Sequence, residues 1–308
     1  MARSKNTASS GRKKGQSGSR KSNPKRKAAQ TPNLPLNQEV YLITGAASGI
    51  GRRLALTFAR RGVHVVMTDV NAKGLAETAA MARQKSYSFD QAKLDIRIEK
   101  DWNSLIDEVY QRYGRLDVLF NVAGFIQPGY CHESSGEDVH KHFDINAKGL
   151  IFGTQAAARR MVKAGKGHIV NFASLAGVAG IPGISLYSAS KHAVRGYSLA
   201  VAQELKVHGV DVTVVCPDAV QTPMLDLQVS HEEAALTFSG DRFLTVEDIE
   251  KVILEKVLTK RPAEVLIPGY RGLLTKLGSA FPAIAALLAG SLSKKGRKRQ
   301  AAIQSGNS

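Results

Sequence analysis

The chain has 308 residues, of which 43% are hydrophobic, and its formal net charge is +17. The charge is concentrated at the ends: residues 1–38 hold ten Lys/Arg and residues 291–308 hold five, with no acidic residue in either stretch, whereas the remaining chain holds 28 basic and 26 acidic residues. A nearly neutral middle argues against a dedicated nucleic-acid-binding domain. Sequence-blind, salt-sensitive binding of nucleic acid or acidic surfaces by the tails remains an alternative role.

Cysteine content and hydropathy bear on the compartment. Cys131 and Cys216 are too few for a disulfide framework and suit a reducing compartment. No run approaches the roughly 18 apolar residues of a membrane span, and the N terminus lacks the apolar core of a secretory signal. We therefore expect a cytoplasmic protein, with membrane association at most at its periphery.

Both ends of the chain differ in composition from the middle. Residues 1–37 are rich in Ser, Gly, Lys and Arg and cannot bury enough apolar surface to offset their ordering entropy, so they are predicted to be a disordered basic tail. Residues 271–292 are predicted to form an apolar helical extension, and residues 293–308 a second basic disordered tail. The apolar run 281–292, followed by cations, fits an interfacial anchor and equally a helix docked on the body.

Between residues 38 and 270, short Val/Ile-rich runs alternate with helical stretches. Apolar runs of this kind are typical of parallel strands that are covered on both faces, and the alternation indicates a single-domain α/β fold with a doubly wound parallel β-sheet of about seven strands flanked by helices. The predicted strands are residues 40–44, 63–70, 87–95, 116–124, 167–174, 210–217 and 263–269.

A glycine-rich turn, "TGAASGIG", follows the first predicted strand and opens a helix. Gly45, Gly49 and Gly51 let the backbone turn sharply and approach a pyrophosphate, whose charge is favourable at a helix N-terminus. A plain strand–turn–helix would also use small residues here. The position after the first strand favours a dinucleotide site.

Asp69 ends the second predicted strand, 18 residues after Gly51. At this spacing a carboxylate accepts hydrogen bonds from the adenosine ribose hydroxyls and repels a 2′-phosphate. The neighbouring Ser48 is uncharged. The pattern favours NAD over NADP, although Arg52 and Arg53 lie nearby and are expected to face solvent.

Tyr187 and Lys191 lie four residues apart in "SLYSASKHAV", a run predicted to be helical. One helical turn apart, they share a face. Taken alone, the spacing fits an ordinary surface pair as well as a tyrosine that exchanges its proton.

Together, the ordered motifs resemble the short-chain dehydrogenase/reductase family over about residues 38–270. The resemblance includes the turn spacing Gly-x-x-x-Gly-x-Gly in place of Gly-x-Gly-x-x-Gly. The further matching motifs are "LDI" (94–96), "NVAG" (121–124), "DINAKG" around Asn146, "IVNFAS" ending at Ser174, "YSASK" (187–191) and "CPDAVQTPM" (216–224).

The resemblance implies a Rossmann-like catalytic domain and gives four residues catalytic roles. Tyr187 would be the general acid/base for a carbonyl or alcohol group, and Lys191 would lower its pKa and bind the nicotinamide ribose. Ser174 would hydrogen-bond the substrate oxygen, and Asn146 would hold a water that relays protons past Lys191.

The family's cofactor contacts carry over onto matching positions of this chain, with Asp95 at the adenine edge. The implied contacts are Thr44, Gly45, Ser48, Gly49, Ile50, Gly51, Asp69, Asp95, Ile96, Asn121, Ala123, Gly124, Tyr187, Lys191, Pro217, Val220 and Thr222.

The sequence departs from the family pattern at two places. Val122 replaces the second Asn of "NNAG", which we expect to be tolerated. Asp218 replaces the glycine after Pro217 and puts a carboxylate near the nicotinamide end. The segment after Met224 takes the place of the family's mobile substrate lid.

We therefore expect an NAD(P)-dependent oxidoreductase that interconverts a secondary alcohol and a ketone. The apolar lid, the apolar C-terminus and the similarity of the Pro-Asp variant to some lipid-acting reductases of the family suggest a lipid-like substrate. A homodimer or homotetramer could form through the helix 186–208. The histidines form no pattern of metal ligands, so no metal is predicted. The alternative is a catalytically silent cofactor-binding regulator or scaffold.

Overall fold

Seven apolar runs of the sequence form a parallel sheet in the computed structural model, which describes residue 35 and residues 37–305 except the side chains of residues 284, 285 and 288. The sheet order is β3-β2-β1-β4-β5-β6-β7. The strands are β1 Val40–Thr44, β2 His64–Asp69, β3 Phe89–Lys93, β4 Val118–Asn121, β5 Gly167–Phe172, β6 Val210–Pro217 and β7 Glu264–Ile267.

All adjacent strands pair in parallel. The predicted doubly wound sheet is therefore confirmed, with strand ends shifted by a few residues. The chain order reverses between β1 and β4, and in such a sheet the crevice at the carboxyl ends is where ligands bind.

Helices connect the strands. They are α1 Gly49–Arg60, α2 Ala72–Gln84, α3 Glu99–Tyr113, α4 Gly136–His142, α5 Leu150–Ala164, α6 Ser185–Lys206, α7 Pro223–Val229, α8 Val246–Val252, α9 Leu258–Lys260, α10 Gly269–Ala280 and α11 Pro282–Gln304. A π-helical stretch, Phe143–Gly149, joins α4 to α5.

The alternation of side chains along β1 shows how the two helical layers attach. Tyr41 and Ile43 belong to a core shared with α1 and α8, whereas Val40 and Leu42 belong to a second core on the other face, shared with α3 and α5. Successive strand side chains point to opposite faces, so a strand covered on both sides must be apolar at every position. The burial of all five residues of β1 matches this requirement.

The C-terminal end differs from the prediction of a disordered basic tail after residue 292, because α11 continues to Gln304. Gly296 allows this helix to approach the body closely: a Cβ there would lie 1.8 Å from the carbonyl oxygen of Ala235. Gln300 is 4% exposed and donates from Nε2 to the carbonyl oxygens of Gln228 (3.1 Å) and His231 (2.9 Å). The second half of α11 is thus a docked helix, and the prediction of disorder was wrong for residues 293–304.

The other predicted tail, residues 1–37, lies outside the described residues except for residues 35 and 37. The described residues, 35 and 37–305, belong to one compact unit. Among the helices of the described chain, none combines the length and apolar character needed to span a bilayer.

We predict that Gly296→Val undocks α11, because a Cβ at this position collides with a carbonyl oxygen. Overpacking of this kind costs roughly 1–3 kcal/mol, measurable as a lower free energy of unfolding in urea and as faster proteolysis after residue 280. Gly290→Val is the matched control, since a Cβ at Gly290 of the same helix meets no atom within 4 Å. Equal destabilisation by both variants would contradict the docking.

Candidate active site

A cavity of about 1550 Å³ opens at the carboxyl ends of the strands. Its wall is built from the turn after β1, the ends of β2, β4, β5 and β6, the start of α6, the segment from α7 onwards, and the C-terminal helices α10 and α11. The strand ends supply the polar part of this wall, and the C-terminal segments supply much of the apolar part.

The glycine-rich turn is held against the end of β4. Gly45 has φ of +71°, and a Cβ there would lie 3.0 Å from the backbone nitrogen of Ala123. Thr44 Oγ1 accepts hydrogen bonds from the amides of Val122 (3.0 Å) and Ala123 (3.1 Å). At Gly51 a Cβ would lie 2.1 Å from the carbonyl oxygen of Gly45. The turn thus depends on glycine and leaves open the space that a dinucleotide phosphate needs.

Asp69 lies at the rim of this turn and lines the cavity. Its Oδ2 accepts from the amide of Ala47 (3.0 Å) and its Oδ1 from the amide of Asn71 (2.8 Å). These bonds fix the carboxylate at the end of β2 while each oxygen keeps a free lone pair.

The two arginines of α1 are partly exposed and are held by other side chains. Arg52 donates to Thr78 Oγ1 (2.8 Å) and pairs with Glu77 (3.1 Å), and Arg53 pairs with Glu250 (2.5 Å). Neither arginine is part of the cavity wall. Their charges are therefore compensated by other side chains, and Asp69 sets the charge at this end of the cavity.

Ser174, Tyr187 and Lys191 come together on the cavity wall, as the sequence predicted. Ser174 follows β5, and its Oγ accepts from the amide of Ala176 (3.1 Å). Lys191 Nζ donates to the carbonyl oxygen of Phe172 (2.8 Å) and lies 5.6 Å from the centroid of the Tyr187 ring. Both α6 residues are buried, with Tyr187 9% and Lys191 3% exposed.

Burial controls the acidity of this pair. It raises the pKa of Tyr187 to about 12, opposed by a hydrogen bond with Ser174, and it lowers the pKa of Lys191 to about 8. Loss of hydration disfavours the charged form of each group. The expected lowering of the Tyr187 pKa by Lys191 is thus not found in the chain alone, where Ser174 is the group that favours the phenolate.

Asn146 lies behind the cavity wall and not on it. It is fully buried in the π-helical stretch, donates to the carbonyl oxygen of Phe125 (2.8 Å) and to Ser190 Oγ (2.9 Å), and accepts from the amide of Phe125 (2.7 Å). A Cβ at Gly124 would lie 3.4 Å from Asn146 Oδ1 and 3.5 Å from Lys191 Nζ. The missing side chain of Gly124 therefore leaves a small space between these two polar atoms.

The Asn121 side chain points into the core, and Asn121 is not part of the cavity wall. Its Nδ2 donates to Asn171 Oδ1 (2.9 Å) and approaches Thr154 Oγ1 (3.3 Å) inside the core. The other predicted cofactor contacts all line the cavity: Thr44, Gly45, Ser48, Gly49, Ile50, Gly51, Asp69, Asp95, Ile96, Ala123, Gly124, Tyr187, Lys191, Pro217, Val220 and Thr222.

Asp218, the departure after β6, has a partner that the sequence analysis missed. Its carboxylate lies 2.5 Å from Arg271 Nε on α10, and both side chains line the cavity. Burial raises the pKa of Asp218, and the Arg271 guanidinium opposes the shift. A buried carboxylate needs a cation or donors nearby, and this requirement was the one available signal for Arg271.

The segment after Met224, which takes the place of the family's mobile lid, is helical. It forms α7 and a 3₁₀ helix, Glu232–Phe238, and α11 packs against both. Together with α10 and α11 it makes the far side of the cavity apolar, through Ile181, Leu225, Leu236, Leu277 and Phe281. Within the described part of the chain, no group of His, Cys, Asp and Glu side chains is suited to hold a metal ion.

Comparison with known proteins agrees with this geometry. The family model described as short chain dehydrogenase matches residues 39–233. A diacetyl reductase [(S)-acetoin forming] of Staphylococcus epidermidis is 35% identical over 206 residues, 66% of this chain and 80% of the relative, and a cyclopentanol dehydrogenase of Comamonas testosteroni is 32% identical over 209 residues, 68% of this chain and 84% of the relative.

A solved structure of a short chain dehydrogenase/reductase from Burkholderia phymatum, in complex with NAD, superposes with a TM-score of 0.73 at 26% identity, covering 82% of this chain and 96% of that one. The family model covers more than half of the chain. The chain belongs to the short-chain dehydrogenase/reductase family and is an oxidoreductase.

Proposed function

We propose that the chain is an NAD-dependent enzyme that interconverts an apolar secondary alcohol and its ketone, with Tyr187 as the general acid/base. The observation that carries the proposal is the arrangement of Ser174, Tyr187 and Lys191 on the wall of the cavity, with Asp69 on the wall beside the glycine-rich turn. The bound cofactor supplies or accepts a hydride at its nicotinamide ring.

Tyr187 moves the proton. In ketone reduction its phenol donates a proton to the oxygen that becomes the alcohol, and in alcohol oxidation the phenolate takes the proton back. Its pKa of about 12 in the chain alone keeps the phenol protonated at neutral pH, the form that reduction needs. Ser174, which already hydrogen-bonds this hydroxyl, orients the substrate oxygen between the two side chains.

Lys191 stabilises the phenolate that reduction leaves behind. With a pKa of about 8 it is mostly cationic at neutral pH, and its bond to the Phe172 carbonyl fixes the ammonium below the Tyr187 ring. The space beside Gly124 and Asn146 Oδ1 would accept one water, through which Lys191 could receive a proton from solvent. Asn146 is in this account a positioning residue, because it does not reach the cavity.

Asp69 would hold the adenosine ribose of NAD and repel a 2′-phosphate. Arg52 and Arg53, the arginines nearest to this turn in the sequence, are already paired with Glu77 and Glu250. The tight turn at Gly45 and Gly51 would hold the pyrophosphate at the start of α1, and side chains at these two positions would collide with the backbone of Ala123 and Gly45 and so distort the turn. These features support NAD as the cofactor that the site prefers.

The substrate side supports an apolar substrate, because Leu225, Leu277 and Phe281 line that part of the cavity. The names of the relatives point to small neutral carbonyls and alcohols. The extension α10–α11 adds apolar wall in this chain. A longer aliphatic chain on the carbinol carbon would fill that wall, and each buried methylene contributes about 0.8 kcal/mol to binding.

Replacing the Asp69 carboxylate should change the choice of cofactor. Asp69→Asn keeps an oxygen for the turn but removes the charge, and hydrogen bonds to charged groups contribute roughly 1.5–3 kcal/mol. We expect NAD to bind about 10-fold to 100-fold more weakly and NADP to bind equally well or more tightly, measured by calorimetry. Asp101→Asn, an exposed carboxylate at the start of α3, is the control. An unchanged ratio of the two affinities would refute the role of Asp69.

Removing the Tyr187 hydroxyl tests the chemistry. With NAD and a series of 2-alkanols of increasing length, Tyr187→Phe should lower kcat by about 10²–10⁴ on every alcohol that the unaltered chain oxidises, while NAD binds as before. Tyr197→Phe on the same helix is the matched control and should keep its activity, because Tyr197 lies outside the cavity. Near-normal turnover by Tyr187→Phe would show that another group moves the proton.

A further inference from the structure

Helix α10 carries an apolar stripe on its solvent side. Tyr270, Leu274, Leu277 and Phe281 are 50–63% exposed. The opposite side of the helix is packed at Gly272, where a Cβ would lie 2.3 Å from Leu266 Cβ. With about 3.6 residues per turn, all four apolar side chains project away from Gly272. A continuous exposed stripe of this kind marks a surface that contacts another apolar body.

Helix α11 presents a matching outward face. Gly296 lies against the body, and Leu287, nine residues earlier and hence about two and a half turns away, is on the opposite side of the helix. Leu287 is 83% exposed. Lys294 and Lys298 follow it at spacings of seven and eleven residues, on the same side. Both lysines are exposed, and neither forms a salt bridge with a residue that the structure describes.

The cavity opens on this side of the molecule. Leu274, Leu277 and Phe281 are exposed and at the same time line the cavity. The mouth of the candidate active site is therefore bordered by the apolar stripe. A membrane or a protein that covers the stripe would therefore also control how substrate reaches Tyr187.

We propose that the outward faces of α10 and α11 dock on an anionic lipid bilayer. This docking surface comprises Tyr270, Leu274, Leu277, Phe281, Leu287, Lys294 and Lys298. Apolar side chains would enter the acyl boundary while the lysines contact lipid phosphates, the arrangement of an interfacial helix. Docking does not depend on the proposed function, whereas passage of an apolar substrate from the bilayer into the cavity rests on it.

Charge favours a bilayer over a second copy of the chain. Residues 269–305 contain seven Lys/Arg and no Asp/Glu. Arg271, Lys276 and Lys295 pair with acidic side chains of the body, so Lys294 and Lys298 carry the charge of the docking surface. In a two-fold contact the same surface is present on both copies, so these lysines would meet a surface to which α10 and α11 contribute no acidic residue. An anionic bilayer compensates them and also supplies an apolar phase at the mouth of the cavity.

The test is co-sedimentation of the full chain with vesicles of phosphatidylcholine, with and without about one-third phosphatidylglycerol. The cations of residues 1–38 would also attract anionic vesicles. A variant of an apolar residue on the docking surface therefore distinguishes docking through α10 and α11 from attraction by the N-terminal cations. Leu287→Glu should weaken binding at least about tenfold, because a buried Leu contributes roughly 1.5–3 kcal/mol. Val207→Glu, at an equally exposed apolar residue on the end of α6 (82% exposed), should bind as the unaltered chain does.

The lysines provide a second variant. Lys294→Glu combined with Lys298→Glu should weaken binding about 30-fold or more, at about 1 kcal/mol for each lysine near the surface. The control pair is Lys73→Glu with Lys100→Glu, two exposed lysines on α2 and α3. Circular dichroism confirms that each variant is folded.

The proposal is overturned if the chain does not bind the anionic vesicles, if Leu287→Glu binds like Val207→Glu, or if Leu287→Glu instead dissociates an oligomer in size-exclusion chromatography. Tyr187→Phe should bind the vesicles normally. Failure of docking and failure of the catalytic assignment are thereby distinguished.

Discussion

The buried ammonium of Lys191 is the constraint on which the site depends. A charge removed from water must be compensated, and here the Phe172 carbonyl at the end of β5 accepts its hydrogen bond while the Tyr187 ring lies beside it. This contact fixes α6 against the carboxyl end of the sheet, and it places the phenol at the crevice where the chain order reverses. Burial lowers the pKa of Lys191 and raises the pKa of Tyr187. Because the two groups are shielded from water, a bound cation or a polar substrate changes both pKa values strongly.

The sheet and much of the cavity wall could be predicted from the sequence because they follow local rules. Continuous apolar runs specify buried parallel strands, and glycines at fixed offsets specify the turn before α1. Asp69 and Tyr187 lie at positions that one strand end and one helix face determine. Each of these features needs only a short stretch of sequence to be recognised.

The side-chain placements that the sequence did not predict depend on contacts between distant segments. Asn121 follows a strand, as cofactor contacts do, but a neighbouring asparagine, Asn171, draws its amide into the core. Asn146 is placed by a π-helical stretch that shifts the register of the helix. The partner of Asp218 comes from Arg271 on a C-terminal helix that follows β7. Each of these placements depends on residues of more than one helix or strand.

The docking of the basic C-terminus could not be predicted from the sequence for the same reason. Its composition is typical of a disordered tail, yet one glycine and one glutamine dock it: Gly296 permits the close approach, and Gln300 satisfies two carbonyl oxygens between α7 and the 3₁₀ helix. Through these contacts α11 supports the segment that covers the substrate side of the cavity. The extension therefore links the shape of the active site to the exposed surface of α10 and α11.

The most direct test of the account is the titration of Tyr187 itself. With ¹³C-labelled tyrosine and the Tyr187→Phe variant to assign its resonance, the account predicts a pKa near 12 in the chain alone and a fall of at least about two units when NAD binds, because a positive nicotinamide near the phenol favours the phenolate. A Tyr187 that titrates near the ordinary value of about 10 in the chain alone, or whose pKa does not fall when NAD binds, would contradict it.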